Sequence, residues 1–463
     1  MKKYIKSQTL LILYLGTLGA LYTSCKKIVD VDPPKDTITG NAVFTSNANA
    51  EAALNGLYAN ISGIFSPIVI SSGPTIYNGL SSDELHFTDT DNEIIQVESN
   101  NILSSNGILT TLWDKAYFCI YMANSCAEGF NKSNSLTLST KNQLLGEALL
   151  IRSYLYFNLT QFFGDVPLET TTSYELNASM SRTPTTKIFD QIVADLNTAS
   201  SLMTSDIVVG RANRYAAQAL LAKVYLLKND WPGSQKQASE IISSGKYQIL
   251  QNLNNVFLTG SAEAIWQIAP NNMFYTTTQA YNLLPSSKKV VPPYVLTSNL
   301  IGAFESGDKR YINWTNVQNL SPIQIYTYPY KYKTRGRGDS EGEVYFRLAE
   351  VYLMNAEAKA QQGNLTSAIA DLDVLRQRAG LSLIANTNPA ISKADLLTAI
   401  ARERRVELFA ENGNRWFDLK RKNEALQVLK PIKPNFDINS TLFPLPISAI
   451  RTNKALSQNP GYQ

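Results

Sequence analysis

The sequence predicts a mostly α-helical chain in which helix pairs form a stiff scaffold interrupted by an irregular, loop-rich half. Three observations carry that expectation. Apolar residues recur at three- and four-residue intervals over nine segments. Two of those segments share a Leu-Ala-x-x-Tyr pattern and are each followed by a second amphipathic helix. Between them, 251–342 breaks the helical texture with Asn, Thr, Tyr, Pro and Ser. With 463 residues, 44% hydrophobic and 10% aromatic, the chain can bury a large core, which excludes disorder and implies one or two globular domains.

Read from the start, Lys2, Lys3 and Lys6 precede an apolar run over 10–22, followed by Thr23, Ser24 and Cys25. That is the layout of a secretory signal, and the run is shorter than the roughly 20 residues a membrane-spanning helix needs. A cysteine directly after small residues resembles a lipobox, in which that cysteine becomes the acylated first residue. Leu21 stands one step further out than usual, with Tyr22 in the customary leucine place. An ordinary cleaved signal with an incidental cysteine is the alternative. The expected organisation is a lipoprotein signal peptide over 1–24, a tether over 25–40 anchored at Cys25, and a single domain over 41–463 with a loop-rich insertion at about 251–342. Asp30, Asp32, Pro33 and Pro34 suit an extended spacer in the tether.

Losing Lys2, Lys3 and Lys6 with the leader takes the 42 basic residues to 39, against 38 acidic ones. A near-neutral body argues against a nucleic-acid partner, which calls for a clustered basic face. Cys119 and Cys126 fall in one helical pattern, about 10 Å apart along it, too far for a disulfide, and read as packing residues. The one histidine, His86, rules out a histidine-rich metal site.

Helices are expected over 47–61, 107–130, 141–163, 185–203, 213–227, 232–243, 343–362, 365–379 and 393–411. In the third, Leu144, Ala148, Ile151, Leu155, Leu159 and Phe162 form a stripe behind a Thr140–Gln143 capping box. Leu221-Ala222 with Tyr225, and Leu348-Ala349 with Tyr352, match the first helix of a tetratricopeptide repeat. There the small residue admits a neighbouring helix and the tyrosine fills the groove beside it. Breaks at 229–232 and 363–364 lead into second helices, the later one carrying Ala368, Leu372, Leu375 and Ala379.

Loops and short strands are expected over 251–342, and loops over 73–106. Long irregular stretches on a rigid scaffold tend to carry function. Both regions hold flat aromatic faces for sugar rings and amides, carboxylates and hydroxyls for sugar hydroxyl groups. The ligand-binding candidates are Tyr77, Asp83, Glu84, His86 and Asn92 in the first, and Phe274, Tyr275, Tyr281 and Trp314 in the second. Asn78, Asn271, Asn272, Gln279, Tyr326 and Tyr328 are of the same type. Each aromatic has a competing role, packing its loop down onto the scaffold.

Over 402–421, Glu403, Glu407 and Glu411 recur every four residues among Arg404, Arg405, Arg415 and Arg421. Such a row reads as an ion-pair network, because paired charges leave no free acid or base. Trp416 and Phe417 are expected to anchor that turn. The enzymatic rival is a glycosidase with two carboxyl groups drawn from Asp83, Glu84, Asp89, Asp91 and Glu93. That stretch lacks the EF-hand spacing and central glycine. No catalytic residue, metal or cofactor is assigned.

Several stretches, in order, resemble the SusD/RagB family of nutrient-binding outer-membrane lipoproteins. They are FTSNANAEAALNGL at 44–57, WDKAYFCIYMAN at 113–124, GEALLIRSYLYFNLTQFFGDVP at 146–167, 211–227, YFRLAEVYLMNAEAKA at 345–360, RERRVELFAENGNRWFDLKR at 402–421 and FPLPISAI at 443–450. The resemblance implies a non-catalytic protein with tetratricopeptide-like helix pairs and an irregular ligand-facing half. It also implies capture of oligosaccharide or polysaccharide at the cell surface and delivery to a SusC-like TonB-dependent outer-membrane transporter. Lys26 and Lys27 directly follow the cysteine, where surface-exposed relatives often carry acids. Peptide uptake of the RagB type, a glycosidase, and a scaffold with only protein partners stand as alternatives.

Overall fold

The computed structural model describes residues 43–62, 71–269, 276–338 and 340–462. Cys25, Phe274 and Tyr275 lie outside the described residues.

The first part of the chain is a layer of helices. Helix α1 (Asn47–Ile61) starts behind Ser46, whose hydroxyl accepts from the Asn49 amide. Then come α2 (Ser72–Ser81), the strand β1 (Leu85–Phe87), α3 (Asn92–Glu98), α4 (Gly107–Lys132), α5 (Leu138–Phe163), α6 (Thr185–Leu202), α7 (Arg214–Leu227) and α8 (Trp231–Ser243). The middle is strand-bearing: β2 (Ala264–Ile268), α9 (Thr278–Leu283), β3 (Tyr294–Leu296), α10 (Lys309–Trp314), β4 (Thr315–Ser321), β5 (Gln324–Pro329) and β6 (Glu343–Arg347). Helices return as α11 (Leu348–Gln361), α12 (Leu365–Ala379), α13 (Lys393–Glu407), α14 (Asn414–Arg421) and α15 (Ile447–Thr452).

Successive helices are neighbours from α4 to α8, α8 packs on α11, and α12 and α13 both pack on α11. The two repeat-like pairs, α7 with α8 and α11 with α12, thereby stack on each other. Ala222 and Ala349 are fully buried at the close approaches, and Tyr225 and Tyr352 sit half-buried beside them. Helix α5 runs through the centre, buried without a break from Leu144 to Phe163. A helix hidden all round needs partners for its polar groups. Glu147 accepts from the Tyr58 hydroxyl at 2.6 Å and from Arg211 at 2.7 Å, and Arg152 pairs with Asp195 at 2.8 Å. Gly146 lets this helix touch the end of α6, since a Cβ there would lie 2.5 Å from Met203 Cγ. Cys119 and Cys126 are free, buried and share α4.

Four local expectations are corrected. The cap of α5 is Thr137, whose hydroxyl accepts from the Thr140 amide, whereas Gln143 donates to Glu147 and the Ala212 carbonyl. Residues 343–347 form a strand instead of the start of α11, because Val344, Tyr345 and Phe346 are buried on both faces against β2. Helix α13 ends at Glu407, and positive φ at Ala410 and Asn412 turns the chain, so Glu411 reaches its partners from a turn. The stretch 73–106, expected as loop, holds α2, β1 and α3. Helix α2 is buried along its whole length, which erases the one-sided periodicity by which a surface helix is recognised.

The strands make three separate two-stranded sheets, β1–β3, β2–β6 and β4–β5. The first joins the two irregular regions, with Leu85 opposite Leu296, His86 opposite Val295 and Phe87 opposite Tyr294.

The charge row is an ion-pair network, but its partners differ from those expected. Glu403 meets Arg310 at 2.5 Å and Arg376 at 3.3 Å. Glu407 meets Arg310 at 2.8 Å, Arg347 at 2.5 Å and Arg378. Glu411 meets Arg347 at 2.7 Å and Lys331, and Glu263 meets both Arg347 and Arg378 at 2.9 Å. The nearby arginines go elsewhere: Arg404 to Asp418, Arg421 to Glu357 and Asp418, and Arg405 and Arg415 to Asp83. Burial alone would raise the Glu407 carboxyl, yet the Arg378, Arg347 and Arg310 charges outweigh it and hold that carboxyl well below the usual range. Trp416 is fully buried and Phe417 nearly so, the anchors expected of them.

Candidate functional site

The β1–β3 ladder floors a cleft of about 650 Å³. Leu85, Val295 and Leu296 are its buried apolar base, and Ile95 of α3 and Ile432 of a Pro-flanked C-terminal loop are exposed at its sides. Polar groups surround this base: His86, Glu98, Ser298, Asn299, Lys433 and Asn435. An apolar floor with a few convergent polar groups is the usual composition of a small-molecule site.

The polar wall is cross-braced. His86 Nδ1 lies 2.6 Å from Glu98 Oε1, and the Phe87 amide donates to Glu98 Oε2 at 3.4 Å. Lys433 Nζ donates to the Glu98 carbonyl at 2.7 Å and to the Leu80 carbonyl, tying the C-terminal loop to α2 and α3. Burial pushes the Lys433 ammonium down to about 7, with the Glu98 and Asp83 charges opposing. The Thr297 hydroxyl donates to the Asp83 carbonyl at 2.5 Å, and its amide to the Glu84 carbonyl at 3.0 Å.

Asp83 lines the cleft, but its carboxylate accepts from Arg405 at 2.6 Å and Arg415 at 2.7 Å. Burial would raise it, and the two guanidiniums more than reverse this, holding it below the ordinary aspartate value. Glu84 points into the interior, where burial and then repulsion from Asp83 push it up to about 8. An acid fixed as an anion beside one hidden from the cleft is a poor pair for protonating and attacking a glycosidic bond. The arrangement is suited to holding a hydroxylated ligand.

Of the residues singled out from sequence, Asp83 and His86 meet in this cleft. Trp314 does not reach a surface: it is 0% exposed, donates its indole N–H to the Leu253 carbonyl at 3.0 Å, and has Lys331, Arg347 and Arg378 over its ring. Tyr77 is buried in α2. Asn92 is exposed at the first turn of α3, behind the Asp91 cap, and is not part of the cleft lining. Tyr281 is half-buried on a separate surface, its ring covered by the Arg335 guanidinium at 4.4 Å. Tyr328 is buried. Phe274 and Tyr275, with Asn271 and Asn272, fall outside the described residues.

Sequence reading missed Ile95, Glu98, Asn299, Ile432, Lys433 and Asn435. The signal at 430–435, KPIKPN, was a proline-punctuated loop with an exposed apolar residue, and nothing local says which distant strand it will face. Among the described residues no helix is long and apolar enough to cross a membrane, and no group of three His, Cys, Asp or Glu side chains is placed to hold a metal ion.

Comparison with known proteins covers most of the chain. Residues 29–226 match a family model described as starch-binding associating with outer membrane, and 298–462 match the SusD family model. SusD-like protein P38 of Formosa agariphila is 26% identical, with all of both chains aligned. A SusD-like protein of Bacteroides ovatus is 24% identical over 90% of this chain and 83% of its own. Among solved structures, a SusD superfamily protein from Bacteroides vulgatus superposes with a TM-score of 0.80 at 20% identity, covering 90% of this chain and 99% of the other. Surface glycan-binding protein A from Bacteroides fluxus superposes at 0.74 with 21% identity, covering 90% and 99%.

Proposed function

This chain belongs to the SusD family, and from that premise we propose that it is a non-catalytic receptor that binds oligosaccharide or polysaccharide at the cell surface and passes it to a SusC-like TonB-dependent transporter. In this reading 1–24 is a signal peptide, 25–40 a tether, and Cys25 carries the lipid that holds the protein on the outer membrane. Residues 41–463 form one domain, whose stacked helix pairs are the docking body and whose strand-bearing half meets the glycan.

The observation that carries the binding role is the cleft over the β1–β3 ladder. It draws on both regions singled out for ligand contact and offers aliphatic side chains to sugar C–H faces and His86, Asn299 and Asn435 to hydroxyl groups. The floor is aliphatic where an aromatic platform was expected. Tyr281, on its separate surface, is a second candidate contact, and Phe274 and Tyr275 precede it by a few residues in sequence.

The test is calorimetric titration of the mature chain with a panel of neutral oligosaccharides and peptides, using His86→Ala, Asn299→Ala and Tyr281→Ala. Retention of a glycan by the wild type and its weakening in His86→Ala or Asn299→Ala, with helicity unchanged, supports the cleft. Weakening in Tyr281→Ala alone moves the site to that second surface. Binding of peptides and no glycan replaces the saccharide reading with peptide uptake, and release of reducing sugar from polysaccharide by the purified chain overturns the non-catalytic one.

A further inference from the structure

A larger cavity, about 820 Å³, lies away from the cleft, where the end of α5, the start of α6, α14 and the C-terminal segment 457–460 converge. Besides Arg421, two cations line it, Arg182 and Lys420. Neither has a carboxylate within ion-pair distance among the described residues, in a protein whose other half-buried or buried arginines mostly do. Arg182 donates to the carbonyls of Asp165, Phe163 and Ser457 and to Asn459 Oδ1, all neutral acceptors. Lys420 Nζ donates to the Gln161 carbonyl at 2.5 Å, which leaves two of its three N–H groups without a protein partner in the structure.

Part of this charge caps α5, since Gln161 and Phe163 are in its last turn. A helix end carries only about half an elementary charge, which does not by itself match both side chains. Asp165 also lines the cavity, and its Oδ1 accepts from the Thr185 amide at 2.8 Å. Arg421 is present too, but it is already matched by Glu357 and Asp418. The balance facing the cavity is positive. Its remaining lining mixes apolar faces, Phe189 and Leu442, with the amides of Asn423 and Gln458. Burial pushes the Lys420 ammonium down to about 7, a shift that an anion bound beside it would oppose by favouring the charged form.

We infer that this cavity is a second ligand site, built for a saccharide bearing an acidic group, a carboxylate or a sulfate, with Lys420 as the residue that recognises the charge. The saccharide part rests on the glycan-binding reading above; the anion part rests on the unpaired cations alone. Charge-assisted hydrogen bonds from the ammonium would take the anion, the exposed Asn423 amide would take a hydroxyl, and Phe189 and Leu442 would lie against the ring.

The experiment uses the mature full-length chain and three probes: methyl β-glucuronide, methyl β-glucoside and inorganic sulfate. Each is titrated calorimetrically into wild type, Lys420→Met and Lys420→Arg. The expected result is glucuronide binding about tenfold or more tighter than glucoside, a loss of about tenfold or more in Lys420→Met, and near-retention in Lys420→Arg. Equal affinity for glucuronide and glucoside, or unchanged glucuronide binding by a Lys420→Met protein of native helicity, overturns the site. Should Lys420→Met lose helicity, the wild-type preference for glucuronide over glucoside decides. Sulfate binding as tightly as glucuronide overturns the saccharide part. If the neutral panel fails while glucuronide binds and responds to Lys420, the cleft reading fails and this site stands.

Discussion

Helix α5 runs through the interior, whereas α13 is exposed along one side and buries Glu403 and Glu407 at its end, and the two bury their polar groups by different means. Helix α5 packs against α4 and α6, and its buried charges are matched locally, Glu147 by Arg211 and Arg152 by Asp195. Helix α13 sends Glu403 and Glu407 into a cluster of guanidiniums from Arg310, Arg347, Arg376 and Arg378, which come from three separate stretches of chain. Apolar burial is tolerant, because any well-fitting neighbour serves. Buried charge is exacting, because removing one partner strands the others without water. The helix layer is therefore held by many interchangeable contacts, and the strand-bearing half, with its cleft, by a few irreplaceable ones.

The largest expected effect tests that asymmetry directly. Glu407→Ala leaves three arginines facing each other and should destabilise by about 3–5 kcal/mol, with the loss in denaturant unfolding matched by early hydrogen exchange in β6 and α10. Leu155→Ala in the centre of α5 should cost about 2–5 kcal/mol through a cavity, and its exchange should rise across α4, α5 and α6 instead. If both variants loosen the same segments, the two halves are one cooperative unit and the contrast fails.

Acid separates the halves without mutation. Asp83, Glu407 and Asp418 titrate below their unfolded values in the folded chain. The stability they contribute is present above about pH 4 and is lost as pH falls through their folded values. Exchange measured below pH 4 should therefore open the Asp83 turn, α13 and α14 before α5. Glu84 runs the other way: its folded value is raised to about 8, so its contribution is complete below the unfolded value near 4.3 and fades as pH rises through 8. Glu84→Gln should flatten stability between pH 5 and pH 8, a smaller effect read from melting temperatures across that range. The smallest is Ile323→Ser, at a hairpin tip 94% exposed, which should change stability by no more than about 0.5 kcal/mol. A large loss there would reveal a role for the β4–β5 hairpin that neither half's chemistry suggests.

The helical layer was legible because its period is local. The boundaries of α1, α6, α7, α8 and α12 fall within a residue or so of those expected from apolar spacing alone. The site was far less legible. His86 and Asp83 were found because charged and imidazole side chains in a non-periodic stretch draw notice, while Trp314 misled because an aromatic in a loop-rich segment has the same local signature whether it faces ligand or core. The charge row at 403–411 was recognisable as a network, but its partners were named from sequence neighbours and proved to lie tens of residues away.

What the sequence determined by itself was the long scaffold helices, their pairing across short breaks, and the presence of buried charge, because each follows from residues a few positions apart. What only the tertiary structure decided was which carboxylate meets which guanidinium, that β1 finds β3 across some two hundred residues, and that Ile432 and Lys433 close the cleft. Those contacts depend on the relative placement of distant segments. Hydrophobic periodicity constrains which face of a helix is buried and carries no information about what arrives to cover it.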